Sequence, residues 1–235
     1  MNIQQNSEKN KFYYINEPIN EKIIEKIIKY NKTNVKININ DSIDNLPDNI
    51  RHIIFGNTFD QSVDNLPSEL KTLTFGYYFN QPINNLPLRL ENLSLGIFFD
   101  HPVNDLPLTL KNLSFEMYFN QPVDNLPSGL ENLTFGYNFN HPVDNLPSGL
   151  KKIKFGGEFN HPVDNLPTGL QELTFGKEFN QFVDNLPKNL ISLTFGDKFD
   201  KPINNLPTVL QDLNISKKYS HSLDKLPSSL KITRM

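Results

Sequence analysis

The chain has 235 residues, a formal net charge of -3, no cysteine and no tryptophan, with 17 prolines against 11 glycines. Without cysteine there are no disulfides and no thiolate metal sites, and lysines scattered evenly along the chain give no basic face of the kind nucleic acid requires. The opening MNIQQNSEKNKFYY lacks the apolar core of a signal peptide and no stretch is long enough to span a bilayer, so the sequence reads as that of an intracellular, cytoplasmic protein.

Residues 1–30 form an N-terminal segment. Within it, NEPINEKIIEKIIKY places Ile19, Ile23, Ile27 and Tyr30 on one stripe with Ile24 and Ile28 beside it, the pattern of an amphipathic helix. Its expected role is to cap the array that follows, because an open strand edge is a template for pairing with another chain. From Arg51 to Leu230 the sequence repeats every 20 residues in nine units without insertion or deletion, and a degraded unit occupies 31–50. The last full unit is itself degraded by ISKKYSHSLDKLP, and KITRM at 231–235 is one bare final strand. Residues 31–235 are thus a single elongated array with no linker.

With Arg51, Lys71 and Glu91 at position 1 of their units, apolar residues hold positions 3, 5, 9, 13, 16 and 20, as in Leu133, Phe135, Phe139, Val143, Leu146 and Leu150. These six columns predict the core. Position 5 is Phe in seven units and position 9 in eight, which at about 4.8 Å per rung gives two continuous aromatic ladders. Ten prolines belong to LP pairs and six more stand at position 12, which puts corners there, since proline fixes φ and withholds an N–H. Glycine at position 6 (Gly56, Gly76, Gly136, Gly176) either takes a backbone angle barred to other residues or leaves room for a neighbour. Only positions 1 to 5 alternate as a strand does. One short strand per rung stacks into a parallel sheet with right-handed connections.

The segment LPSGLENLTF resembles the leucine-rich repeat, and FNQPI at 79–83, FNHPV at 139–143 and FDKPI at 199–203 match the signature of the FNIP repeat family. The fold expected is therefore a mainly β repeat solenoid: a right-handed, leucine-rich-repeat-like array with one short parallel strand per 20-residue rung and an N-terminal capping helix. The resemblance also implies an origin in social amoebae or in giant viruses of amoebae, hence the host cell cytoplasm in the viral case. Many members of that family carry an F-box before the repeats. Here Pro18 and EKIIEKIIKY look like its opening helix, but the repeats begin too soon for the other helices.

Several repeated polar residues are candidates for chemistry. Asp64, Asp124, Asp144, Asp164 and Asp184 share position 14 with Asn84, Asn104 and Asn204, which favours an Asx turn entering NLP over a calcium site. His101, His141 and His161 alternate at position 11 with Gln81, Gln121, Gln181 and Lys201, and read as solvated side chains with too few partners for a metal. The NLS and NLT triplets at 92, 112 and 132 are products of the repeat. No catalytic constellation interrupts the period, so neither an enzyme nor a cofactor is expected.

Positions 7 and 8 do vary. They read Tyr77 and Tyr78, Ile97 and Phe98, Met117 and Tyr118, then Tyr137 and Asn138, before turning polar at Glu158, Lys177, Glu178, Asp197 and Lys198. Glu116 breaks the glycine column within the same stretch. Either one of these columns points inward, or the residues form a protein-binding patch. The expected function is a non-catalytic protein interaction scaffold whose partner is a protein, with self-association possible. The alternative is a substrate-recognition adaptor of a ubiquitin ligase with a truncated F-box-like N-terminus.

Overall fold

The computed structural model describes residues 12–235. Its elements are β1 (Tyr13–Ile15), α1 (Glu21–Lys29), β2 (Asn34–Ile37), β3 (His52–Phe55), β4 (Thr72–Thr74), β5 (Asn92–Ser94), β6 (Asn112–Ser114), β7 (Asn132–Thr134), β8 (Lys152–Lys154), β9 (Glu172–Thr174), β10 (Ser192–Thr194), β11 (Asp212–Ile215) and β12 (Lys231–Arg234). All twelve strands lie in one sheet in chain order. From β3 to β11 each pairs in parallel with residues 20 positions away, as Leu73 with Leu93 and Leu93 with Leu113. Three-residue strands have no stability of their own, so the array holds together through what each rung gives its neighbours.

All six apolar columns point inward. Phe139, Leu150, Leu133, Phe135 and Val143 are buried and Leu146 packs partly buried against them. The two predicted aromatic ladders are in fact one interlocked stack. Within a rung the rings of Phe135 and Phe139 lie face to face, 3.8 Å between centroids, and Phe139 meets Phe159 of the next rung at 6.1 Å. At the LP corner the proline carbonyl accepts from the amide three residues on, as Leu150 N–H to Pro147 at 3.2 Å. A proline with no N–H to donate and a leucine that closes the turn and enters the core explain the LPxxL spelling.

At the N-terminal end the structure departs from expectation. The sheet reaches back to β1, where Tyr13 pairs with Val35, and α1 connects β1 to β2. The helix forms the return path of the first rung, so the expected N-terminal capping helix is built into the terminal rung of the array. Asn20 caps it, accepting from the Ile23 N–H at 3.2 Å. Ile23 and Ile27 are buried; Ile28, within the helix but off their stripe, is exposed, and so is Tyr30, where the helix has ended at Lys29 and Asn31 turns the chain with φ of 44°. Unit 31–50 is also out of register. Val35 pairs with Ile53, 18 residues away, so it occupies position 3 in place of Thr33. At the other end Leu213 pairs with Ile232, one residue short of the period.

Candidate protein-binding surface

Just past each strand the chain turns through positions 7 and 8, and this turn stacks as regularly as the sheet. The N–H of position 8 donates to the position 7 carbonyl of the preceding rung: Tyr78 to Asn57, Phe98 to Tyr77 and Tyr118 to Ile97, each at 3.0 Å. With the backbone engaged between rungs, both side chains are sent outward. Tyr77, Tyr78, Phe98, Met117, Tyr118 and Tyr137 are all between 41% and 57% exposed, which disposes of the reading that one column fills the core. Ile97 is half-buried and Glu116 exposed.

Three of these rings form a second aromatic ladder outside the core. Tyr78 stacks on Phe98 at 5.4 Å and Phe98 on Tyr118 at 5.0 Å. Stacked in this way, the rings present edges to solvent and make a ridge of apolar rims. The ridge ends at Tyr137, whose ring lies over Gly157: a Cβ there would fall 2.2 Å from the ring. Beyond it the surface is polar, and Lys198 pairs with Glu178 across one rung.

Alongside the ridge runs a trough of about 570 Å³. Its floor is the glycine column at Gly56, Gly76 and Gly96, with Thr74 and Ser94 on one side and Tyr77 and Ile97 on the other. Lys36 lines one end and Glu116 the other. None of the glycines has a positive φ, so of the two roles open to them the structure selects close approach. A Cβ on Gly96 would lie 1.9 Å from the Gly76 carbonyl oxygen.

The FNIP Repeat family model matches residues 62–98, 99–138, 119–158, 139–178 and 179–218, together more than half of the chain. The chain belongs to the FNIP repeat family. No curated protein matches it. Among solved structures, the crystal structure of CroV588, described as a novel circular LRR protein, is similar with a TM-score of 0.70 and 34% identity over 86% of this chain. The match covers 37% of that chain, so the present chain spans well under half of its length.

The structure gives the FNIP spelling a physical meaning. The Phe at position 9 is a buried ring, stacked on the equally buried position 5 Phe of its own rung, as Phe139 on Phe135. The Asn or Asp that follows is a rung-to-rung clamp: Asn140 accepts through Oδ1 from the Asn160 N–H at 3.0 Å, and Asp100 does the same for Asn120 at 2.9 Å. Sequence reasoning missed this column, although its restriction to Asn and Asp from Asn80 to Asp200 was the visible signal. The position 11 residues belong to the same system. His141 Nε2 donates to the Asn120 carbonyl at 2.9 Å and Gln121 Nε2 to Asp100 Oδ1 at 3.0 Å, so these histidines are latches between rungs and not simply solvated.

Position 14 likewise works between rungs, for Asp144 Oδ1 accepts from Asn165 Nδ2 at 3.0 Å and Asp164 from Asn185. The Asp64 carboxyl is held below the usual carboxylate range by its bonds from Ser62 and Asn85. Among the described residues no three His, Cys, Asp or Glu side chains converge on a metal site. A separate exposed apolar pair also escaped the sequence reading: Leu88 and Leu108, on adjacent LP corners, are 81% and 76% exposed. The signal there was Leu at position 18, where the following units have Ser128, Ser148 and Thr168.

Proposed function

We propose that this chain is a non-catalytic scaffold that binds a partner protein through the ridge of Tyr77, Tyr78, Phe98, Met117, Tyr118 and Tyr137. The observation that carries this reading is the external stack of Tyr78, Phe98 and Tyr118. Rungs with Gly157, Glu158, Lys177 and Glu178 in the same two columns adopt the same turn and the same backbone hydrogen bonds. The fold therefore has no need of the rings. Aromatic side chains of this kind each contribute more than about 2 kcal/mol when a partner buries them. The engagement of His and Asp side chains in rung-to-rung bonds supports a structural over a catalytic use of the polar columns.

The adaptor alternative gains no support from the fold, because α1 spends Ile23 and Ile27 on the core of the first rung. An intracellular setting, the host cytoplasm for a viral chain, belongs to the same proposal. Among the described residues no helix is long and apolar enough to cross a membrane.

The test is the double substitution Tyr78→Ser with Tyr118→Ser. Exposed sites shift stability by no more than about 0.5 kcal/mol each, so the melting temperature is expected to stay within about 3 °C of the parent, while capture of host partners or self-association is lost. A variant of parental stability that still binds in full overturns the assignment of the ridge.

A further inference from the structure

The fold asks for glycine at position 6, and one rung breaks that rule beside the ridge. A Cβ added to Gly76, Gly96, Gly156, Gly176 or Gly196 would lie 1.7 to 2.3 Å from the carbonyl oxygen of the glycine one rung before. Glu116 nevertheless stands in this column, between rungs that carry Gly96 and Gly136. Packing does not select a charged side chain there. Local departures of this kind from an otherwise consistent pattern are where function is carried.

Glu116 also lacks the ion pair that several glutamates of the array have. Glu69, Glu91, Glu131, Glu172 and Glu178 each pair with a lysine or arginine one rung away. Glu116 forms no ion pair among the described residues, and neither does Lys36 at the opposite end of the trough. The trough thus carries a carboxylate at one end, an ammonium at the other, and an apolar wall of Tyr77 and Ile97 between them.

We propose that this trough seats an extended segment of the partner protein, with a lysine or arginine side chain of that segment bound by Glu116. The proposal rests on the scaffold reading and names the chemistry of its partner. From the rung of β2 to the rung of β6 is four steps of about 4.8 Å, which an extended chain rising about 3.3 Å per residue spans in roughly six residues. The glycine floor has no side chains to hold a backbone away. Alternate side chains of the segment lie against Tyr77 and Ile97, and an acidic residue at its far end meets Lys36. Both charges of the segment are then complemented, which fixes its direction.

The probe is the peptide acetyl-Asp-Val-Ser-Val-Ser-Arg-amide, with its reverse-order isomer, titrated into the full chain while backbone amide resonances are followed. One isomer is expected to shift the amides of Gly76, Gly96 and Ile97. Glu116→Gly is expected to weaken that binding about tenfold, the loss of one charge-assisted contact, while the melting temperature holds or rises because the repeat consensus is restored. Replacing the peptide arginine by glutamine has the same effect, and the two changes together cost no more than either alone. Glu116→Gln repeats the loss with the side chain's shape retained. The proposal is overturned by the absence of any shift at the trough, by binding indifferent to Glu116 and to the arginine, or by a lower melting temperature for Glu116→Gly. Tyr78→Ser with Tyr118→Ser, measured with the captured partner, tests the scaffold reading separately, so either idea can fail alone.

Discussion

Gly136 sits against the carbonyl oxygen of Glu116 so closely that a Cβ on it would lie 1.6 Å from that oxygen. The contact is backbone to backbone, and neither side can yield without opening the sheet between the two rungs. Gly136→Ala is therefore expected to cost about 3 kcal/mol or more, at or above the upper end of overpacking penalties. Gly169→Ala is the control. A Cβ there would be 3.7 Å from its nearest neighbour, and the lost flexibility of the unfolded chain should leave stability equal or higher by about 0.5 kcal/mol. Urea midpoints of the two variants against the parent decide the matter.

The aromatic stack gives a graded expectation. Phe135 is buried, pressed face to face on Phe139 and also stacked at 5.9 Å with Phe115 and 5.5 Å with Phe155. Phe135→Ala should destabilise by about 3 to 5 kcal/mol. Phe135→Leu should cost less, about 1 to 2 kcal/mol, because Leu95 already fills the same column and is buried there. Equal losses for the two substitutions, measured by chemical denaturation, would show that ring stacking and not volume sets the cost.

In the clamp column the acceptor oxygen matters and the amide group does not, for Asp60 and Asp100 accept from the next rung as Asn140 does. Asn140→Ala should lose about 1 kcal/mol and speed hydrogen exchange at the Asn160 amide. Asn140→Asp should keep both close to the parent values at neutral pH. Protection of Asn160 that survives the alanine would refute the clamp.

Acid should loosen the array at identifiable bonds. The Asp200 carboxyl is held below its ordinary value of 3.8, first by the Ser220 N–H and then by the Ser220 hydroxyl. A carboxyl lowered in the folded state contributes stability that is present above its unfolded value and is lost as pH falls through the folded one. The window is thus below about pH 3.8. Asp48 behaves alike through Ser68. Amide exchange at Ser68 and Ser220 should rise in this window, and Asp200→Asn should remove the effect at Ser220 alone. Unchanged protection at Ser220 down to pH 2 would sink the assignment.

Most of the fold was legible because a period of 20 residues makes each inward column repeat. Leu133, Phe135 and Phe139 could be placed without knowing their neighbours, since equivalents in the other units repeat them. Where the period lapses, legibility lapses too. The three residues of β1 resemble no unit, and a two-residue shortening after Ile37 moved Val35 into the place given to Thr33. The ridge was visible as a change of residue type at positions 7 and 8, but its exposure was not, because a single column gives no indication of which way a turn points. The clamp residues were missed and the latch residues read as solvated for a different reason: a polar side chain bonded to the next rung has the same sequence signature as one bonded to water.

The clamps, the latches and the position 14 bonds share one sense. In each the donor belongs to the later rung and the acceptor to the earlier one, as from Asn160 to Asn140, His141 to Asn120 and Asn165 to Asp144. A completed rung is thus a mould with its oxygens already in place for residues about 20 positions ahead. The chain leaves the ribosome N-terminus first, so the mould exists before the segment that must fit it. The same sense makes the stack a directed object with unlike faces, and one rung laid on another inverted would bring oxygen to oxygen along each of these columns.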